Sequence, residues 1–118
     1  MGELNGAKFR VGSVDYTVKE VDGLHDSGQS LLGWVTYGDC VIRLDSASSD
    51  VRKQNVLVHE LVHAILYEAG IEEQDEDMVN RMAHVLHGVL RDNDFGFMRK
   101  RSDDVRDLIW KAEEAKVK

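Results

Sequence analysis

Apolar residues recur with one period in the first part of the chain and with another after it. Val14, Tyr16 and Val18 alternate with polar neighbours, and Lys8 to Val11 precedes them across Gly12-Ser13, a pair suited to a two-residue hairpin turn. Gly33 to Tyr37 and Cys40 to Leu44 form a second such couple around Gly38-Asp39. Between the two hairpins, Val21 to Ser30 contains Asp22, Gly23, Asp26, Ser27 and Gly28 with little apolar pattern, and reads as a mobile loop that leaves His25 exposed.

From Asp50 the period becomes helical. Val51, Val58, Leu61, Val62, Ile65, Leu66 and Ala69 share a stripe with no proline or glycine inside it. Ser48, Ser49 and Asp50 are candidate N-caps, and Gly70 stands where a helix of this kind ends. A second helix is predicted after Asp75, with Glu76 and Asp77 in its first turn and Val79, Met82, Ala83, Leu86, Val89 and Leu90 on its buried face. A third is predicted from Ser102, carrying Val105, Leu108, Ile109 and Ala112. Strands followed by helices predict an α+β fold: a small antiparallel sheet of about four strands, then three helices.

The first predicted helix holds the chain's most pointed chemistry, His59-Glu60-Leu61-Val62-His63. Histidines four apart on a helix stand one turn above each other, so both imidazoles can reach one metal ion from a rigid backbone. Glu60 lies near the same ion without being needed as a ligand, where a carboxylate can act as a base toward a water polarised by the metal. Two histidines do not complete a catalytic zinc site, which usually has three protein ligands. The positions three and six residues beyond His63 are Leu66 and Ala69, so no third histidine follows nearby. A carboxylate from the next helix is the alternative. Glu76 shares a helix face with Val79 and Ala83, and burial of those two aims it inward. Asp77 is the runner-up, and Glu72, Glu73 and Asp75 stay open. His87 lies eleven residues beyond Glu76, roughly 16 Å at the helical rise, and His84 is rotated away. Two imidazoles and one carboxylate suit zinc best among divalent ions. Tyr67, one turn past His63, is a candidate oxyanion donor or a core aromatic.

Composition narrows the functional classes. The 118 residues are 42% hydrophobic and 31% charged, without a long apolar run, as expected of one soluble domain. The polar start of the chain and the absence of an apolar span point to the cytoplasm and away from a membrane. The lone Cys40 cannot form an intramolecular disulfide and reads as a half-buried structural thiol. A net charge of -7 argues against general nucleic-acid binding, which needs a cationic surface. Acid is densest from Glu68 to Asp77, where it can supply a metal ligand or favour cationic partners.

The HELVH pentad, the acidic helix start and the run Asn80-Arg81-Met82-Ala83 resemble the minimal zincin metallopeptidases, most closely the ImmA/IrrE-type family of phages, mobile elements and bacteria. The resemblance covers about residues 50–90; Leu86-His87-Gly88-Val89-Leu90 replaces the family's frequent Leu-Leu-Met-Pro segment. It implies a zincin-like domain over residues 1–118, with zinc on His59, His63 and Glu76 and Glu60 as general base. It also implies a protein or peptide substrate, in several members a regulator. The strand Cys40 to Leu44 is the expected sheet edge for pairing with such a substrate. The competing expectation is a catalytically inactive, zinc-stabilised protein-interaction module of the same origin.

Overall fold

The structure, a computed structural model, describes residues 4–99. By internal packing the chain divides into two compact units, Met1–Gly88 and Val89–Lys118. The first unit contains strands β1 (Lys8–Val11), β2 (Val14–Val21), β3 (His25–Asp26), β4 (Gln29–Ser30), β5 (Gly33–Thr36) and β6 (Val41–Asp45), then helix α1 (Asp50–Glu68). Helix α2 (Glu76–Asp92) begins in it and is followed by a single 3-10 turn, Gly96–Met98. Within the second unit, Arg91 pairs with Asp92 at 2.8 Å and Asn93 Nδ2 donates to the Val89 carbonyl.

The α+β class stands, but the predicted antiparallel four-strand sheet followed by three helices does not. Sheet order is β1-β2-β6-β5, and β2 pairs with β6 in parallel, Thr17 opposite Val41 through Val21 opposite Asp45. Both predicted hairpins exist, β1–β2 and β5–β6. The second docks through its later strand, which runs in the same direction as β2. Burial explains the choice: Val41, Ile42 and Leu44 are all buried, so β6 suits a place between two neighbours. β5, with Gly33 and the partly exposed Trp34, suits an edge. The expected loop at 21–30 contains a second, two-stranded sheet, β3 with β4, and His25 in it is exposed. Two α-helices occur among the described residues, and the third helix predicted from Ser102 lies outside them.

Local capping fixes the helix that carries the site. Ser49 Oγ accepts from the Arg52 N–H at 3.2 Å, which makes it the N-cap. At the other end Gly70, at φ 87°, donates to the Tyr67 carbonyl, and the Ile71 N–H returns to Leu66. This paired closure needs a left-handed residue, which glycine adopts without a Cβ clash. Asp75 caps α2: its Oδ1 accepts from the Asp77 N–H at 3.1 Å.

Helix α1 is apolar on two sides. Leu57 and Ala64 pack with Tyr16, Val18, Ile42 and Leu44 of the sheet, while Val58, Val62 and Leu66 pack with Val79 and Ala83 of α2. Each fully buried Val or Leu side chain stabilises the fold by about 1.5–3 kcal/mol. The predicted stripes needed correction at their margins. Val51 and Ile65 of α1, and Met82, Val89 and Leu90 of α2, are exposed.

Two polar contacts, the first buried and the second part-buried, tie α1 to β2. Lys53 Nζ meets Glu20 Oε1 at 2.8 Å, with both side chains under 10% exposed at 6% and 8%. Tyr16 OH donates to Glu68 Oε2 at 2.7 Å, and burial raises the Tyr16 phenol well above its ordinary pKa. The connection between β5 and β6 spans Tyr37 to Cys40, longer than the two-residue turn expected there, and Cys40 closes it at φ 57°. Its half-buried thiol donates weakly to the Tyr37 carbonyl.

Candidate metal centre

Helix α1 presents His59 and His63 one turn apart, and the first residue of α2 brings Glu76 across to both. His59 Nε2 lies 2.9 Å from Glu76 Oε2, and His63 Nε2 lies 3.0 Å from Glu76 Oε1. One ligand atom from each of the three residues falls within 4.8 Å of the others, so the group could hold a metal ion. Donors bound at about 2.0–2.2 Å around a tetrahedral ion stand roughly 3.3 Å from one another, so a set spread over up to 4.8 Å would have to close in around one. Packing sets the approach, because Val79 and Ala83 bury against Val58, Val62 and Leu66 one to two turns along α2 from Glu76.

A residue that periodicity did not reveal orients His63. Gln74 Oε1 faces His63 Nδ1 at 2.5 Å, and Gln74 Nε2 donates to the His63 and Ile71 carbonyls at 3.3 Å. The amide oxygen can only accept, so Nδ1 donates to it, and in a neutral imidazole Nε2 then has the lone pair that faces the Glu76 carboxylate. A metal ion between His63 Nε2 and the carboxylate, 3.0 Å apart, would draw on lone pairs from both. That donor arrangement fits the metal ion for which the histidine spacing argued. Tyr37 OH adds a 3.4 Å contact to the same amide oxygen, and its ring stacks on Tyr67 at 4.1 Å between centroids. Burial raises the Tyr37 phenol above its ordinary pKa.

Glu60 stands apart from the ligand group although it lies between the two histidines in sequence. It is 7% exposed, and burial pushes its carboxyl up to about 7; the His63 side opposes that rise and the Glu76 charge adds to it. A Cβ placed on Gly33 would come 2.3 Å from Val56 Cγ1 and 3.3 Å from Glu60 Oε2. A glycine is therefore required where β5 crosses α1, and it lets the strand approach the carboxylate closely.

Beside His59 and Glu60 opens a cavity of about 410 Å³ bounded by residues 30–33, by α1 and by Asn80 of α2. The strand along it is β5, not Cys40 to Leu44 as the sequence suggested, because β6 is interior to the sheet. The Asp45 N–H donates to the Leu32 carbonyl, so antiparallel alternation turns the N–H and C=O of Gly33 and Val35 toward the free edge.

The other candidates fall outside the centre. Asp77 pairs with Arg81 at 3.2 Å, Asp75 caps α2, and Glu72 and Glu73 are exposed. His84 is exposed and His87 half-buried, and neither joins the ligand group. No helix among the described residues is long and apolar enough to cross a membrane. No protein family, curated protein or solved structure matches the chain.

Proposed function

We propose that the protein is a zinc-dependent peptidase in which His59, His63 and Glu76 hold the metal and Glu60 is the general base. The observation that carries this reading is the convergence of two Nε2 atoms on one carboxylate, with a second, buried carboxylate beside a cleft and a sheet edge. Two imidazoles and one carboxylate are the donor set that suits zinc best, and the resemblance to ImmA/IrrE-type zincins points the same way.

Zinc, when bound, supplies a Lewis acid that polarises a water molecule and the scissile carbonyl. Glu60 takes one proton from the attacking water, and the water oxygen bonds to the carbonyl carbon. When the C–N bond breaks, Glu60 returns the proton to the leaving amine, so the carboxylate ends as it began. Gly33 and Val35 offer main-chain groups that pair with an extended peptide and set its carbonyl against the centre. Gln74 keeps His63 in the tautomer that ligates.

Glu60→Gln tests the assignment. It retains zinc and loses hydrolysis of a peptide library, whereas His59→Ala loses both; continued cutting by Glu60→Gln overturns the base assignment. A second reading, a zinc-stabilised interaction module without catalysis, draws on Met78, Met82 and Val85, which expose 40%, 43% and 65% of their surface on α2. A binding partner retained equally by Glu60→Gln, with no hydrolysis by wild type, supports that alternative.

A further inference from the structure

The cavity beside the centre has a charge pattern of its own. Leu31, Leu32 and Val56 give it apolar walls, and Asn55 and Asn80 supply neutral amides. Its full positive charge is Arg52, which has no ion-pair partner among the described residues, in a protein of net charge -7. Arg10, Arg43, Arg81 and Arg91 each face a carboxylate.

Arg52, Val56, His59 and Glu60 follow helical spacing along the face of α1 that borders the cavity. Seven residues separate Arg52 from His59, about 10 Å of helix axis, a span matched by roughly three residues of extended chain. Arg52 also lies in the first turn of α1, where the helix dipole has the same sign as its charge. Asp50, in that turn, borders a different and smaller cavity with Lys53 and Glu20.

We infer that this cavity is a subsite for a peptide carboxylate, with Arg52 as its receptor. The inference rests on the peptidase reading and names its substrate class: peptides with an acidic side chain or a free C-terminal carboxylate within about three residues of the carbonyl held at the centre. The planar guanidinium matches a carboxylate through two parallel N–H···O bonds, which a lysine cannot reproduce. Leu31, Leu32 and Val56 cover the apolar part of the same residues.

The test is binding, measured by fluorescence anisotropy on the full chain. Zinc-loaded Glu60→Gln protein is used so that the peptides stay intact. Three labelled alanine–leucine hexapeptides are compared: one with a free C-terminal carboxylate, one amidated with a single internal glutamate, and one amidated and neutral. At least one anionic peptide binds about tenfold more tightly than the neutral one, and Arg52→Gln removes that preference. Preference for the first peptide assigns the terminal carboxylate, and preference for the second the acidic side chain. Equal binding of all three, no binding of any, or a preference that persists in Arg52→Gln overturns the subsite. Zinc content and thermal melting of Arg52→Gln stay at the Glu60→Gln values, because Arg52 is exposed and outside the ligand group. A failed subsite therefore differs from a failed metal centre, which appears as missing zinc.

Discussion

Two acid–base side chains are buried on α1, seven residues apart, and their surroundings are opposite. Lys53, 5% exposed, meets Glu20 of β2 at 2.8 Å. Glu60, 7% exposed, has no hydrogen-bond or ion-pair partner among the described residues and borders an open cleft. A buried charge with a close counter-charge is held in place by the fold. A buried carboxylate left without one, beside three potential metal ligands, has its pKa pushed up by burial to about 7. The helix thus has a structural end and, in its middle, a buried acid beside the candidate ligands.

Removing the charge at the structural end has the largest expected effect. Lys53→Met leaves Glu20 buried without its partner and costs about 3–5 kcal/mol of stability in urea titration, while Lys53→Met with Glu20→Leu recovers most of it. An unchanged midpoint for Lys53→Met would show that the pair is solvated and the contrast false.

At Glu60 the sign is reversed. The folded carboxyl titrates near 7 and an unfolded one near 4.5, so in metal-free protein the folded state binds more protons between those values. Stability falls as pH rises through that window, and the penalty is complete above pH 7. Glu60→Gln removes it: metal-free Glu60→Gln is more stable than wild type at pH 8 by on the order of 3 kcal/mol and gains nothing below the unfolded carboxyl pKa. Equal pH profiles for the two proteins would sink this account of the burial.

A smaller effect is expected one step out from the ligands. Gln74→Ala weakens zinc binding about 10–100-fold by releasing the His63 ring, and Gln74→Glu restores most of the affinity. Competition against a chromophoric chelator reads both. Nitrogen chemical shifts of His63 report whether its Nδ1 proton is lost from the preferred tautomer, a change that general loosening of the fold does not produce.

Legibility in the sequence followed range. That His59 and His63 stand together was readable because four-residue spacing on a helix is a local geometric fact, and that Glu76 approaches them because helical phase links it to Val79 and Ala83. Gln74 was not, since a neutral amide on an irregular connection belongs to no period. Lys53 reads as an exposed helix lysine until Glu20, 33 residues away, is known to face it. The hairpins were legible from their turns, whereas the parallel β2–β6 pair was not, because which strand of a hairpin docks depends on nonlocal burial. β3 and β4 are two residues each, too short for alternation to register. Met82 shares the helical stripe of Val79 and Ala83 but is exposed, since sequence pattern alone does not reveal how wide a face the neighbouring helix covers.

The most direct test of the central claim is the metal content of untagged protein by elemental mass spectrometry, for wild type, His59→Ala and Glu76→Ala. The account predicts about one zinc per chain in wild type, none in His59→Ala and a reduced content in Glu76→Ala. Wild type without metal, and without a rise in melting temperature when zinc is added, would contradict it.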